Sequence, residues 1–272
     1  MNATVDLPSQ FSTTTADNDH YASALECLLG GTFNEWAPGG VSPFPLLRIS
    51  EHQTLYHEGS EANSVYVVQA GYFKVVRTGE DGYEHVLDFA GRHDLLGCDA
   101  IANGHHPTSV VALEESWVYA LPLADVRRLG QRLPGFSARW ESAMSAQIGR
   151  AAELAWLMAA VGAEKRTARF IGLYSRRMAE RGQSPRRLLL RMSRRDIASH
   201  LGLAHESVSR SFTLLAEAGV LRVDNREVEI LDADALHRYA FSTRGYQTGG
   251  QRRVVHPAAA APAPKEGLRL VA

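Results

Sequence analysis

Residues 192–215, MSRRDIASHLGLAHESVSRSFTLL, constrain the fold more than any other part of the sequence. Ser193 and Asp196 have the spacing of a capping box at the start of a short helix, and Gly202 is the residue type that ends one. Apolar side chains then recur at helical spacing, namely Val208, Phe212 and Leu215. The stretch therefore predicts a helix-turn-helix whose second helix, at about residues 205–217, enters the major groove of DNA.

The second predicted helix carries polar side chains on its other face, close to its start. Glu206, Ser209 and Arg210 lie where such helices reach base edges. A glutamate accepts a hydrogen bond from cytosine N4, and an arginine donates two to guanine O6 and N7. We predict that these three residues contact bases. Side chains at the starts of the two helices are predicted to contact the DNA backbone: Ser193, Arg194, Arg195, His205 and Ser207.

The distribution of charge distinguishes a DNA-binding motif from an ordinary helical corner. Residues 164–226 contain 14 Lys and Arg against 6 Asp and Glu, whereas the whole chain has a net charge of −1. The basic surplus is confined to one region, and such a region attracts phosphate. The sequence therefore favours double-stranded DNA as a partner.

Residues 44–123 are predicted to form β-structure. Short apolar runs alternate with turns that contain glycine, and many short strands at regular spacing are typical of an antiparallel barrel or jelly roll. The two apolar runs on either side of Ala70 and Gly71 predict a β-hairpin.

A long helix is predicted at about residues 136–161. One stripe of apolar residues follows the 4-3-4-3 spacing of a coiled-coil seam: Met144, Ile148, Ala151, Ala155 and Met158. Other apolar residues lie on different sides and are expected to pack on the roll: Trp140, Leu154, Leu157 and Val161. The alternative is a helix buried in a single core. We favour a homodimer, because a two-fold DNA site requires a two-fold protein.

These elements predict an α+β fold: an N-terminal antiparallel β-roll of the cyclic-nucleotide-binding-like jelly-roll type, a dimerisation helix and a C-terminal winged helix-turn-helix. The wing is expected from two short strands around Asp224 and Asn225. The predicted regions are a disordered tail at 1–20, the roll at 21–133, the dimerisation helix at 134–162, the DNA-binding domain at 163–240 and a second disordered tail at 241–272.

Composition excludes several other classes of protein. The sequence has no apolar run of membrane-spanning length, and residues 1–20 lack the apolar core of a secretory leader. Two cysteines are too few for a disulfide framework. We expect a cytoplasmic protein without a membrane partner.

The order of these elements resembles the CRP/FNR superfamily of bacterial transcription regulators, and most closely its FNR/FixK-like branch. Three groups of residues carry the resemblance: 91–97 (GRHDLLG), 99–101 (DAI) and 104–107 (GHHP) in the roll; 175–177 (SRR), 181–182 (RG) and 184–186 (SPR) before the helix-turn-helix; and Glu206-x-x-Ser209-Arg210 in the second helix. The resemblance implies a dimeric activator that reads TTGAT-like inverted repeats, contacts RNA polymerase and controls genes of oxygen-limited or nitrogen-linked metabolism. Arg210 would take the guanine, Glu206 the opposing cytosine, and Ser209 the thymine and adenine positions.

The sequence departs from the family at its two best-known effector sites. Cyclic-nucleotide binders carry a Glu and an Arg-Ser pair where this chain has Cys98 and Pro107-Thr108. The members that hold an iron–sulfur cluster use four cysteines, whereas this chain has Cys27 and Cys98, with Tyr119 in the place of the roll cysteine. We therefore expect no cofactor and no metal.

Two rival hypotheses remain. In the first, Cys27, Cys98 or the roll histidines make the same fold a redox-, haem- or small-ligand-gated sensor; the alternative for both thiols is that they are ordinary buried cysteines. The histidines in question are His85, His93, His105 and His106. In the second, the roll is a cupin-like enzyme. It lacks the required His-x-His pair with a following Glu, so we expect no enzymatic activity.

Overall fold

Short antiparallel strands form the N-terminal part of the computed structural model, which describes residues 12–14, 44–132, 134–160 and 162–241. The strands of the roll are β1 (Ser12–Thr14), β2 (Leu46–Ile49), β3 (Thr54–Tyr56), β4 (Ser64–Ala70), β5 (Tyr72–Thr78), β6 (Glu84–Gly91), β7 (Leu95–Leu96), β8 (Ser109–Ala112) and β9 (Ser116–Pro122). They form one sheet in the order β1-β2-β9-β4-β7 and another in the order β3-β8-β5-β6. Side chains from both sheets form one buried cluster, which includes Leu47, Val68, Phe73 and Val110. The predicted antiparallel roll is confirmed.

The predicted hairpin around Gly71 is wrong. β4 pairs with β7 and β9, whereas β5 pairs with β6 and β8, so the chain passes from one sheet to the other at Gly71. Gly71 has φ +91°, and a Cβ atom there would lie 2.0 Å from Ser116 Oγ, so only glycine fits. Two apolar runs joined at a glycine can form either a hairpin or a connection between two sheets. Here β4 pairs with β9 and β5 pairs with β8, so the two runs belong to different sheets.

Strand β1 corrects the prediction that residues 1–20 are disordered. Ser12 lies opposite Arg48 in an antiparallel pair with β2, which would otherwise be an edge strand. An edge strand offers free backbone groups that a short extended segment can pair with. The remaining predictions for residues 1–43 and for residues 242–272, including the position of Cys27, fall outside the described residues.

Six α-helices, a short 3-10 helix at Cys98–Ala100 in the roll and a small sheet complete the described part of the chain. The helices are α1 (Leu123–Arg132), α2 (Pro134–Met158), α3 (Ala163–Glu180), α4 (Arg194–Leu201), α5 (His205–Glu217) and α6 (Ala233–Phe241). The strands β10 (Arg187–Leu189), β11 (Leu221–Asp224) and β12 (Glu227–Ile230) pair in the order β10-β12-β11. The predicted wing is confirmed, with Asn225 at φ +50° in its turn. Helix α2 ends at Met158, before the predicted end at about residue 161, because the chain turns into α3 through Gly162 at φ +98°.

Aromatic side chains join the roll to the helix-turn-helix. The ring of Phe89 on β6 lies 6.2 Å from that of Phe170 on α3 and 5.1 Å from that of His200 on α4, between ring centroids. Leu157 of α2 belongs to the same buried cluster. Burial lowers the pKa of His200 below its ordinary value, so the imidazole is neutral at pH 7. The roll, α2 and the DNA-binding domain therefore share one apolar core.

A group of ion pairs surrounds this shared core. Asp94 of the roll accepts from Arg150 of α2 at 2.7 Å and also from Arg181 of α3. Asp88 of the roll accepts from Arg177 of α3 at 3.0 Å. The arginine side chains are largely shielded from solvent, and buried charges of this kind persist only when they are paired. These pairs hold α2 and α3 in defined positions on the roll.

Candidate nucleic-acid interface

Helix α5 has one buried face and one open face. Its buried side chains are Val208, Ser211, Phe212 and Leu215, which pack on the rest of the DNA-binding domain. Glu206 and Arg210 are exposed and Ser209 is half-buried. Their spacing of three and four residues places them on the same side of the helix. The structure thus brings together, outside the buried face of α5, the three side chains that the sequence assigned to base contacts.

The predicted capping box of α4 is confirmed. Ser193 Oγ accepts a hydrogen bond from the Asp196 backbone N–H at 3.1 Å, and Asp196 Oδ2 accepts one from the Ser193 N–H at 2.9 Å. Partial burial acts to raise the pKa of Asp196, but the hydrogen bonds from Ser193 and the Lys74 ammonium outweigh it and hold that pKa below its usual value. The helix ends at Gly202, at φ +57°, as the sequence predicts.

Arg194 makes contacts inside the DNA-binding domain. The carbon of its guanidinium lies 3.6 Å from the centroid of the Phe212 ring, and Nη2 donates a hydrogen bond to the Asn225 carbonyl at 3.1 Å. Burial lowers the pKa of Arg194 relative to a free arginine. A single side chain therefore connects α4, α5 and the wing. The sequence assigned Arg194 to the DNA backbone and contained no local sign of this long-range contact.

Two other arginines remain available to a partner. Arg195 on α4 and Arg226 in the turn of the wing are exposed, and neither side chain has a hydrogen bond or ion pair with the residues that the structure describes. Both line a cleft of about 820 Å³ between the roll and the DNA-binding domain, together with His205 and Ser193. The backbone-contact prediction did not include Arg226, although a basic residue in a wing turn is a recognisable signal. Ser207 is half-buried on α5.

The predicted dimer seam on α2 is largely uncovered in a single chain. Ile148 is 71% exposed, more than any other large apolar side chain that the structure describes. Ala151 and Ala155 are also exposed, and Met144 is half-buried. Met158 is half-buried because it lies against the turn of the helix-turn-helix, where a Cβ at Gly202 would be 2.7 Å from its Cε.

The other sides of α2 are occupied. Trp140 stacks on Phe136 with ring centroids 6.1 Å apart and packs against the core of the roll, as predicted. Leu157 is buried in the core shared with the DNA-binding domain. Leu154 lines two cavities, one between α2 and the roll and one between α2, the roll and α3. Val161 lies outside the described residues. Among the residues of α2 that the structure describes, the seam residues form the apolar stripe that other parts of the chain cover least.

A cavity of about 460 Å³ lies between the roll and α2 and contains Cys98 in its wall. Burial, together with the Asp99 carboxylate, raises the pKa of the Cys98 thiol to about 12. The thiolate is the reactive form of cysteine, so burial at this position disfavours the form of Cys98 that a redox sensor needs. Thr108 Oγ1 donates a hydrogen bond to Asp99 at 3.0 Å in the same wall.

The roll histidines do not converge on one site. His106 is buried and stacks on Tyr56 with ring centroids 3.7 Å apart, and burial lowers its pKa. His85 instead contacts Tyr83 at the hairpin of β5 and β6. Among the residues that the structure describes, no group of three His, Cys, Asp or Glu side chains is placed to hold a metal ion.

Comparisons with known proteins agree with this architecture. The model of the cyclic nucleotide-binding domain matches residues 46–132, and that of the Crp-like helix-turn-helix domain matches residues 165–239. The fumarate and nitrate reduction regulatory proteins of Escherichia coli (strain K12) and Salmonella typhimurium are each 37% identical over 196 residues, which is 72% of this chain and 78% of theirs.

Two solved structures share the fold at lower identity. FixK2 from Bradyrhizobium japonicum superposes with a TM-score of 0.66 at 22% identity, covering 73% of this chain and 98% of that one. A CooA mutant from Carboxydothermus hydrogenoformans superposes with a TM-score of 0.63 at 20% identity, covering 85% and 98%. No described helix of this chain is both long and apolar enough to cross a membrane.

The residues around the roll cavity do not fit a cyclic nucleotide. Its wall presents the carboxylates of Asp88 and Asp99, which would repel a cyclic phosphate. Arg150 is the one cation among the described lining residues, and its guanidinium already pairs with Asp94 and Asp88. The cavity therefore lacks the free positive charge that a phosphate requires.

Proposed function

Because the chain belongs to the CRP/FNR superfamily of transcription regulators, we propose that it acts as a homodimeric activator on TTGAT-like inverted repeats. The observation that carries the proposal is the grouping of exposed Glu206 and Arg210 with half-buried Ser209 on one side of α5. The target genes are those of oxygen-limited or nitrogen-linked metabolism. The names of the fumarate and nitrate reduction relatives support this assignment.

One G·C base pair of each half-site is read from both strands. The Arg210 guanidinium donates two hydrogen bonds to guanine O6 and N7, while Glu206 accepts from N4 of the cytosine opposite. Ser209 contacts the neighbouring thymine and adenine positions, because a hydroxyl can both donate and accept. The two half-sites lie about one helical turn apart, so that the two copies of α5 enter the major groove on the same side of the duplex.

Phosphate contacts position the domain on the duplex. Arg195 and Arg226 supply the charged contacts, and Ser193, His205 and Ser207 supply the polar ones. Arg194 acts differently from our sequence-based prediction: it holds α4, α5 and the wing in register through its contacts with Phe212 and Asn225.

The dimer forms along α2, and the polymerase contact lies on the roll. Ile148, Ala151 and Ala155 pack against the same residues of a second copy, with Met144 and Met158 at the margins. The β5–β6 hairpin offers a charged and largely exposed loop at residues 77–84, and this loop contacts RNA polymerase.

Replacing Arg195 with alanine should weaken binding to all DNA sequences alike. The side chain has no partner within the described residues, so its removal costs phosphate contacts and leaves the fold intact. Each lost phosphate contact lowers the slope of log K against log salt by about 1. The slope is measured by fluorescence anisotropy at several salt concentrations, with Arg127→Ala on α1 as the control that loses an exposed arginine far from α4 and α5. A loss restricted to the TTGAT site would contradict a phosphate role.

Gel-shift titration tests the proposed function. At physiological salt the protein should bind a palindrome of TTGAT and ATCAA half-sites at least about 10³-fold more tightly than a scrambled duplex of the same length. Equal affinity for the two duplexes would rule out sequence-specific reading by α5.

A further inference from the structure

The roll contributes a lysine to the surface of the helix-turn-helix. Lys74 lies on β5, and its Nζ is 3.1 Å from Asp196 Oδ1 on α4 and 3.7 Å from Glu84 Oε2 on β6. The lysine side chain is only 18% exposed, so it lies largely shielded from solvent beside these two carboxylates. No other cation forms an ion pair with Asp196 among the described residues.

The docking of α4 on the roll holds Lys74 in this place. Ser199 Oγ donates a hydrogen bond to the Glu84 carbonyl at 2.9 Å and accepts one from the Val86 N–H at 3.0 Å. His200, one residue further along α4, packs on Phe89. Lys74 can reach Asp196 only while these contacts hold α4 against β6.

Asp196 is the one acidic residue between Ser193 and His205. It lines the same cleft as Arg195 and Arg226, the two unpaired arginines at the boundary between the roll and the DNA-binding domain. A carboxylate at this place opposes the attraction that the two arginines exert on phosphate, unless a neighbouring cation neutralises it.

We propose that the DNA-contacting surface extends onto the roll, where Lys74 acts as a positioning residue that neutralises Asp196 beside the phosphate backbone of the bound duplex. The proposal rests on the function proposed above. It adds that full affinity for DNA requires the roll to be docked on α4, and that the contribution of Lys74 is the same for every DNA sequence.

The test compares dissociation constants of full-length variants on the TTGAT palindrome and on a scrambled duplex. Lys74→Met should weaken binding to both duplexes on the order of tenfold, because it exposes the phosphate backbone to the Asp196 charge. Asp196→Asn should bind both duplexes more tightly than the unchanged protein, because it leaves the Lys74 charge unneutralised beside the phosphate backbone, while asparagine keeps an acceptor for the Ser193 N–H. The double variant should recover the affinity that Lys74→Met loses.

Control variants separate the electrostatic effect from a structural one. Arg77 lies on the same strand as Lys74, pairs with Glu58 and is 66% exposed. Arg77→Met therefore removes a cation of that strand away from Asp196, and it should leave DNA affinity unchanged. Lys74→Arg should keep the affinity, because it keeps the charge. Thermal melting of each variant shows whether it is folded.

Three results would overturn the proposal. Affinity unchanged in Lys74→Met is the first. The second is a loss of DNA affinity in Asp196→Asn as large as that in Lys74→Met, together with a double variant whose affinity does not recover. That result would mean that the ion pair only holds α4 on the roll. The third is an effect confined to the palindrome. If the unchanged protein bound both duplexes with equal affinity, the sequence preference proposed above would be refuted. The affinities of the variants on either duplex would still test the role of Lys74.

Discussion

Replacing Arg210 with alanine is expected to abolish the preference for guanine in each TTGAT half-site. Arg210 is exposed on α5 and makes no packing contact in the buried face of that helix, so the variant should fold normally. A bidentate arginine–guanine contact contributes about 1–3 kcal/mol of discrimination. Because a dimer makes this contact twice, we expect about 2–6 kcal/mol of lost discrimination over the whole site.

Competition gel shifts measure this effect directly. The palindrome competes against duplexes in which the guanine, and its cytosine partner, are exchanged for each other base pair. The matched control is Glu217→Ala, which changes an exposed residue at the far end of the same helix. If Arg210→Ala still preferred guanine as strongly as Glu217→Ala does, the assignment of this arginine would be wrong.

Replacing Ile148 with glutamate is expected to separate the dimer. The side chain is 71% exposed in a single chain, so a charged residue there costs the monomer little, whereas two facing glutamates in a seam repel each other. Joining two half-site readers raises the affinity for the whole site by about 10²–10⁴ over a single reader. The variant should lose most of that gain on the palindrome.

Analytical ultracentrifugation and DNA titration on the same samples test the seam. The unchanged protein and Ile148→Leu should sediment as dimers, whereas Ile148→Glu should sediment as a monomer with weak affinity for the palindrome. A dimeric Ile148→Glu would place the interface elsewhere, and a monomeric unchanged protein that binds tightly would refute the two-fold model.

Elements with strong local signals could be predicted from the sequence. The capping box at Ser193 and the left-handed glycine at Gly202 define the two ends of α4, and each signal lies within a few residues of the end that it defines. The buried positions of α5, such as Val208 and Phe212, follow from helical spacing alone. The turn at Asn225 likewise identifies the wing. Residues that are close in the sequence determine these features, so they can be predicted from short segments of the sequence.

Features that depend on distant residues could not be predicted in the same way. The sheet change at Gly71 depends on the pairing of β4 with β9 and of β5 with β8. The stacking of Arg194 on Phe212 and the contact of Lys74 with Asp196 join residues far apart in the sequence. No periodicity within one segment encodes such contacts, because they arise only when the segments pack.

The candidate interface combines features of both kinds. Glu206, Ser209 and Arg210 could be singled out because they occupy one side of a recognisable helix. Arg195 could be assigned to phosphate from its place beside a helix start, but its neighbour Arg194 could not be distinguished from it before the fold was known. Residue type and spacing identified the candidate surface, and packing decided which of its arginines remain free.

Selection of bound duplexes from a random DNA pool tests the central claim most directly. The full-length protein is incubated with the pool at physiological salt, and the retained duplexes are sequenced over several rounds. We predict an enriched inverted repeat of TTGAT and ATCAA, with half-site centres about one helical turn apart and guanine the most strongly selected base. An enriched motif without two-fold symmetry, or no enriched motif at all, would contradict a homodimer that reads bases through Glu206, Ser209 and Arg210.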